Sequence, residues 1–382
     1  MTASANHHQT GPARRRVAVG MSGGVDSSVA AQLLVEQGYD VTGVFLECWR
    51  APGCRTDQDR ADALEVALGL SIPFEVLDFK QRYHRVVVQS FFDEYQAGRT
   101  PNPDVLCNRE IKFGLFYDWV RERGFEYVAT GHYARLVKAN GRRRLAIPAD
   151  RHKDQTYFLY RLRPEQLGHL LFPLSEMTKQ QVRSLARRRG LPTADKKDSV
   201  GICFIGDIDV REFLRERLGE NPGEVVNAQG EIIGRHRGLW FYTIGQRHGF
   251  EVDQRQLVKL ADGTTVTKHH LPPFYVIAKD AEHNRLVVGF GSEAYRDEVV
   301  IEDVHWLEDV ASLGEKQSGD DGLLVRIRHT GELVGCRLTV QDGRRYRLKL
   351  DQPLKGVAPG QSAVLYKHQL TQDICLGGGL IS

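Results

Sequence analysis

Gly20-Met21-Ser22-Gly23-Gly24-Val25-Asp26-Ser27-Ser28 is the stretch that decides the fold. Val17-Ala18-Val19, just before it, reads as a buried strand. Val29 to Val35, just after it, reads as a helix that stops at Gly38. Strand, Gly/Ser turn and helix make a geometry for holding phosphate. The glycines let the backbone approach the ligand, and the free N–H groups at the positive end of the helix favour an anion. The Gly-Lys-Ser/Thr ending of a Walker loop is missing.

The next segments repeat the same grammar. Val41 to Leu46, Phe74 to Asp78 and Tyr127 to Thr130 read as strands. Asp57 to Leu68, Gln81 to Tyr95 and Arg109 to Arg123 read as helices. Strand alternating with helix predicts an α/β doubly wound parallel sheet, in which ligands sit beyond the carboxyl ends of the strands. The Gly20–Ser27 loop, Leu46 and Gly131-His132 all lie at such ends. Val137 to Leu145 reads as a hairpin turning on Asn140-Gly141. Thr178 to Arg189 is a basic helix, and Val210 to Leu218 is one more short helix.

At Asn221-Pro222-Gly223 the pattern changes to short alternating runs split by Gly, Pro, Asn and Asp. These predict a small central β-rich domain followed by a C-terminal β-barrel. The expected division is a disordered tail over 1–13, a nucleotide-binding α/β domain over 14–206 with a helical, basic part near 164–190, a central domain over 207–283 and a barrel over 284–382. Phe250 to Pro272 and Ser312 to Asp321 read as loops.

The chain has 382 residues, a net charge of +3 and ordinary globular composition. No apolar run is long enough to span a bilayer. Met1 to Pro12 lacks the apolar core of a secretory signal, so a cytoplasmic location is expected. Six cysteines are present, none in a Cys-x-x-Cys pair, so no structural zinc site is expected. In a reducing compartment a disulfide between any of them is more often catalytic than structural. No metal site is expected from the histidines, which lack companions at ligand spacing.

Two cysteine stretches stand out. Thr100-Pro101-Asn102-Pro103-Asp104-Val105-Leu106-Cys107-Asn108 is stiffened by two prolines and delivers Cys107 to the start of a helix, where a thiolate is favoured. Asp104 there either shuttles a proton or caps the helix, and Cys107 is either reactive or simply buried. Lys197-Asp198-Ser199-Val200-Gly201-Ile202-Cys203-Phe204-Ile205-Gly206 places a second cysteine in a polar, Gly-flanked loop.

The Ser-Gly-Gly-Val-Asp-Ser run resembles the pyrophosphate loop of the ATP pyrophosphatases, which pass AMP to a carbonyl oxygen. With the two cysteine stretches added, the sequence resembles the bacterial tRNA-specific 2-thiouridylases over nearly its whole length. Ala97-Gly98-Arg99-Thr100, Ala129-Thr130-Gly131-His132-Tyr133, Lys153-Asp154-Gln155, Tyr242-Thr243-Ile244-Gly245-Gln246-Arg247 and Cys375-Leu376-Gly377-Gly378-Gly379 extend the match. The resemblance implies ATP-dependent 2-thiolation of the wobble uridine of tRNA. ATP, with magnesium, adenylates the uridine C2 oxygen, and sulfur arrives as a persulfide on Cys203. Cys107 then attacks that persulfide, and the two cysteines end as a transient disulfide. Asp104 resembles the family's acid/base residue.

Carried over by position, Gly20, Met21, Ser22, Gly23, Gly24, Val25, Asp26 and Ser27 would hold the ATP phosphates. Leu46, where the family usually has methionine, and Gly131 would line the nucleoside site. Asn102, Pro103 and Asp104 would touch the target base. His132, Lys153, Asp154, Gln155, Arg328, His329 and Gln361 would touch tRNA. A cysteine desulfurase or sulfur-relay protein is the implied partner. Cys48 and Cys54 match nothing catalytic, and burial is expected for Cys336 and Cys375. Two other readings compete: an ATP pyrophosphatase that makes an amide or amidine, which needs neither Cys107 nor Cys203, and a tRNA-binding module that only senses ATP.

Overall fold

A computed structural model describes residues 14–51, 54–139, 141–198, 209–252, 258–259, 265–266, 273–308, 322–342, 344–369 and 371–382. The first half is built on β1 (Arg16–Gly20), α1 (Val25–Glu36), β2 (Asp40–Glu47), α2 (Thr56–Gly69) and β3 (Phe74–Asp78). A continuous helical stretch, α3, covers 80–96, and a second, α4, covers 103–122; each contains a π-helical segment, His84–Val88 and Asn108–Leu115 respectively. Then come β4 (Tyr127–Thr130), a hairpin of β5 (Arg135–Ala139) and β6 (Arg142–Ala146), the two-residue β7 (Leu170–Leu171), α5 (Lys179–Arg188) and α6 (Val210–Leu218).

Strands β3-β2-β1-β4-β7 form one parallel sheet. Its central strand is buried on both faces, as the unbroken apolar run Val17-Ala18-Val19 requires. Alternation sends Val17 and Val19 to one side, against Val29, Ala30 and Leu34 of α1, Ala63 and Val66 of α2 and Val182 of α5. Ala18 goes to the other side with Phe113, Phe116 and Val120 of α4. The sheet is therefore doubly wound. Of the helical part expected near 164–190, only Lys179–Arg188 is an α-helix; Pro164–His169 is a 3₁₀ turn that leads into the edge strand β7.

The central domain comprises β8 (Gly223–Val226), β9 (Ile232–His236), β10 (Glu251–Val252), β11 (Val258–Lys259), β12 (Thr265–Val266), β13 (Tyr275–Asp280) and β14 (Arg285–Gly289). Five of these make one sheet ordered β10-β9-β8-β14-β13, and β11 pairs with β12. Two expectations need correction. The stretch Phe250 to Pro272 is not all loop, since β10, β11 and β12 lie within it. The 283/284 boundary also cuts the β13–β14 hairpin, whose second strand pairs with β8 and belongs to the central sheet. The Ser312 to Asp321 loop falls outside the described residues.

The last domain contains β15 (Tyr295–Trp306), β16 (Leu323–Arg326), β17 (Val334–Val340), β18 (Tyr346–Lys355), β19 (Ser362–Gln369) and β20 (Gln372–Ile381). The order β15-β18-β17-β16-β19-β20 closes through a β15–β20 pairing into a six-stranded antiparallel barrel. Closure removes the exposed edges of the sheet. The β5–β6 hairpin, from the first half of the chain, docks on this barrel through Ala146 opposite Ile374. Tyr157 and Phe116 share a buried cluster with Val364, Tyr366 and Cys375, so the α/β layer and the barrel have one common core. No helix among the described residues is long and apolar enough to cross a membrane.

Candidate active site

The Gly20–Ser27 loop is shaped by contacts too close for side chains. Gly23 has φ +71°, and a Cβ there would lie 2.1 Å from the carbonyl oxygen of Asp59. A Cβ on Gly131 would lie 2.7 Å from the Ser27 nitrogen, so the end of β4 presses directly on the first turn of α1. Hydroxyls close the loop on itself. Ser27 Oγ accepts from the Ser22 N–H at 3.2 Å, and Ser28 Oγ donates to Gly24 O at 2.9 Å. Gly24 caps α1 without a side-chain acceptor, so no side-chain oxygen of the cap competes with a phosphate for the N–H groups of the first turn.

Charge around the loop is arranged by two lysines that periodicity does not single out. Lys179, the first residue of α5, donates to both Asp26 oxygens at 2.8 and 2.7 Å and pairs with Asp198 at 2.9 Å. Lys196 donates to Gly23 O at 2.9 Å and pairs with Asp59 at 2.7 Å and with Asp62. Tyr133 Oη donates to Asp26 Oδ1 at 2.8 Å; burial, then the neighbouring Asp26, pushes that phenol well above its ordinary range. Asp198 also meets Lys153 at 3.0 Å and Arg183 at 2.5 Å. Burial works to raise the Asp198 pKa, but hydrogen bonds from Lys179 and Lys153 outweigh it and hold the carboxyl at about 2.

The Thr100–Asp104 loop is held by the barrel. Gln361 Nε2 donates to Thr100 O at 2.9 Å, and the Thr100 N–H donates to Pro359 O at 2.8 Å. Asn102, not Asp104, is the helix cap: its Oδ1 accepts from the Val105 N–H, with Pro103 at the first helical position. Asp104 stands at the second position, where the free N–H groups and the dipole act. Cys107 is the fifth helical residue, beyond the first turn. The helix-start argument therefore applies to Asp104, while Cys107 lies buried among Tyr83, Val87, Phe91, Ile111 and Leu214. Cys203 lies outside the described residues.

The residues expected to meet RNA divide into two groups. Arg328 is exposed and Lys153 half-exposed, while His329 is half-buried, stacks on Phe158 with ring centroids 4.3 Å apart and has its pKa lowered by burial. His132, Asp154, Gln155 and Gln361 are engaged internally. Asp154 is buried and pairs with Arg326 at 2.6 Å. His132 is buried between Phe113 and Phe172, within 2.8 Å of the Thr130 hydroxyl, and burial drives its pKa well below the ordinary value. Gln155 Oε1 accepts from the Tyr133 N–H. Leu46 packs at the edge of the core. Cys336 and Cys375 are buried with thiols pushed up to about 12.

Sequence reasoning missed Lys179, Lys196 and Arg326. Lys179 carries one available signal, its place directly after the Thr178 cap of a basic helix.

Comparison with known proteins follows the three structural parts. The family model described as tRNA methyl transferase HUP domain matches residues 15–207, its PRC-barrel domain 211–290, and an aminomethyltransferase beta-barrel domain 296–381. A tRNA-specific 2-thiouridylase MnmA of Bacillus cytotoxicus is 42% identical over 377 residues, covering 97% of this chain and 95% of the relative. The proteins of the same name from Salmonella arizonae and Pseudomonas syringae are 42% identical over 375 residues, covering 96% of this chain and 96% and 94% of theirs. Among solved structures, the U34-tRNA thiolase NcsA of Methanococcus maripaludis aligns at a TM-score of 0.34 and 20% identity, over 53% of this chain and 63% of that one. The family model speaks of methyl transfer and the relatives of thiolation, and near-complete alignment at 42% identity decides between the two labels. The chain belongs to the bacterial tRNA-specific 2-thiouridylase family.

Proposed function

We propose that the protein uses ATP to replace the C2 oxygen of the wobble uridine of tRNA with sulfur. The observation that carries the reading is the full-length identity to tRNA-specific 2-thiouridylases. The geometry supports it with a phosphate cradle that two glycines keep clear and with a second loop, Thr100–Asp104, clamped from the barrel side.

In this reading the N–H groups of the Gly20–Ser27 loop bind the phosphates, and Lys179 adds a cation beside them. Magnesium bound with ATP would supply further charge neutralisation. The uridine, flipped out of its stack, lies against Asn102, Pro103 and Asp104. Its C2 oxygen attacks the α-phosphorus, and pyrophosphate leaves. The terminal sulfur of a Cys203 persulfide then attacks C2, and AMP leaves with the former oxygen. Cys107 attacks the Cys203 sulfur, the S–S bond breaks, and the freed sulfur remains as C2=S. Asp104 handles the protons. The Cys107–Cys203 disulfide must be reduced before the next turnover, and a cysteine desulfurase or sulfur-relay protein reloads Cys203.

Mass spectrometry of tRNA nucleosides after incubation with protein, ATP, magnesium and a persulfide-carrying donor protein tests this. A gain of one sulfur for one oxygen on wobble uridine is expected. Cys203→Ser is expected to abolish it while leaving ATP and tRNA binding intact. Normal thiolation by that variant would remove Cys203 from the reaction. AMP release without thiolation by the wild type would instead leave only the adenylating half.

A further inference from the structure

We propose that a groove beyond the carboxyl ends of β2 and β3 binds one unpaired nucleotide of the substrate RNA, the neighbour of the target uridine. This rests on the RNA reading above. The groove encloses about 550 Å³, and Cys48, Trp49, Arg50, Lys80, His84 and Arg85 are among its lining residues. That volume suits one small ligand.

Its chemistry is that of a base-stacking platform with cations at the rim. The Trp49 and His84 rings are parallel within 5° with centroids 6.3 Å apart. Phe213 meets Trp49 edge-on at 85°, which braces the indole. Arg50 and Lys80 share the buried carboxylate of Glu47, at 3.2 and 2.8 Å. Their remaining partners, Asp57 and Asp78, are exposed on the rim. Arg85 and His84 are exposed. Arg60 also pairs with Glu47 and Asp57, so Arg50, Arg60, Lys80 and Arg85 stand against Glu47, Asp57 and Asp78 and leave one net positive charge for a phosphate. Aromatic faces with interleaved cations are how single-stranded nucleic acid is held without sequence reading.

Position gives the occupant. Cys48 and Trp49 pack against the cluster that buries Cys107. The helix start Pro103–Cys107 touches the His84–Val88 segment. A nucleotide in the groove is thus close to a base held at Asn102–Asp104. Flipping the target base removes a stacking face from its neighbour. Trp49 supplies a replacement face and so lowers the cost of flipping.

Equilibrium binding of an anticodon stem–loop RNA tests the groove without any sulfur chemistry. The RNA is used intact and with an abasic site on either side of the target uridine. Trp49→Ala is expected to weaken binding of the intact RNA by about 5- to 150-fold, the range for losing one base–aromatic stack. One of the two abasic RNAs is expected to bind wild type and Trp49→Ala equally. Trp49→Phe, which keeps a ring, should restore most of the affinity and guards against a folding defect. Arg85→Ala, on the surface, should lower the salt slope of binding by about one.

Equal RNA affinity of wild type, Trp49→Ala and Arg85→Ala would overturn the proposal. So would a loss that is the same on intact and both abasic RNAs. A rise in the ATP Kd alone would make the groove part of the ATP site. Slower turnover with a protein persulfide donor, but not with sulfide and with RNA affinity unchanged, would make it a protein-docking groove. Failure of the wild type to thiolate would overturn the proposed reaction and leave these binding results standing.

Discussion

Lys179 bridges the carboxylate of the phosphate loop and Asp198, and only its place in the fold reveals this. A cation at hydrogen-bond distance from both Asp26 oxygens is well placed for a polyphosphate bound at the same loop. Lys179→Ala is expected to raise the ATP Kd by about 10- to 150-fold, the worth of a charge-assisted hydrogen bond. The tRNA Kd should change less than about twofold, because Lys153 and Arg183 still hold Asp198. Isothermal titration with each ligand separates the two, and unchanged ATP affinity would remove Lys179 from the site. Asp198 makes a second prediction. Its folded pKa lies below the unfolded value, so its stabilisation is present above about pH 4 and is lost as pH falls towards 2. The size is on the order of 2 kcal/mol. Asp198→Asn should flatten that part of the acid branch in urea titrations between pH 2 and 6; an unchanged acid branch would show that the pairing contributes no stability.

At the scale of elements, the contact of β4 with α1 is what sets the loop. Gly131→Ala forces a Cβ to within 2.7 Å of the Ser27 nitrogen, and backbone is the obstacle. The change should destabilise by roughly 1–3 kcal/mol and abolish measurable ATP affinity, as read by thermal melts with and without ATP. A variant that keeps wild-type ATP affinity would show that the loop tolerates displacement. The strands and helices of this layer were legible because each carries its own period: Val17-Ala18-Val19 is apolar throughout, and Asn140-Gly141 marks a hairpin. What was not legible depends on partners far along the chain. Nothing local in Arg142–Ala146 says that it joins the barrel sheet. Leu170–Leu171 is too short to show a strand period. The sequence leaves Asp104 as proton shuttle or cap, and only the observed dihedrals place Asn102 before the first turn as the cap. His132 and Asp154 sit in motifs whose surroundings decide whether they face a ligand or the interior, and burial is not encoded in a motif.

For the whole molecule, the common core is tied together by one buried ion pair. Asp154, on the α/β side, meets Arg326 of β16, with their side chains 1% and 9% exposed. Thr156 adds two hydrogen bonds to Asp154 and reaches Tyr366 of β19 at 3.0 Å. Arg326→Ala leaves a carboxylate buried without its cation and should cost about 3–5 kcal/mol in urea unfolding. Pairing it with Asp154→Leu should recover much of that loss; a double variant no more stable than the single would place the cost in lost packing of the arginine stem instead.

The β5–β6 hairpin and the cluster around Tyr366 and Cys375 carry a further consequence, for biosynthesis. Some residues translated early, Phe116 and Tyr157 among them, share their buried cluster with strands translated much later. A nascent chain emerging from the ribosome therefore cannot close that shared cluster until β19 and β20 are out, although the cluster beneath the phosphate loop uses only residues up to Ala194. Chains interrupted before that point keep the shared cluster open, which exposes them to proteolysis. Closure of the shared cluster thereby waits on a late step of synthesis.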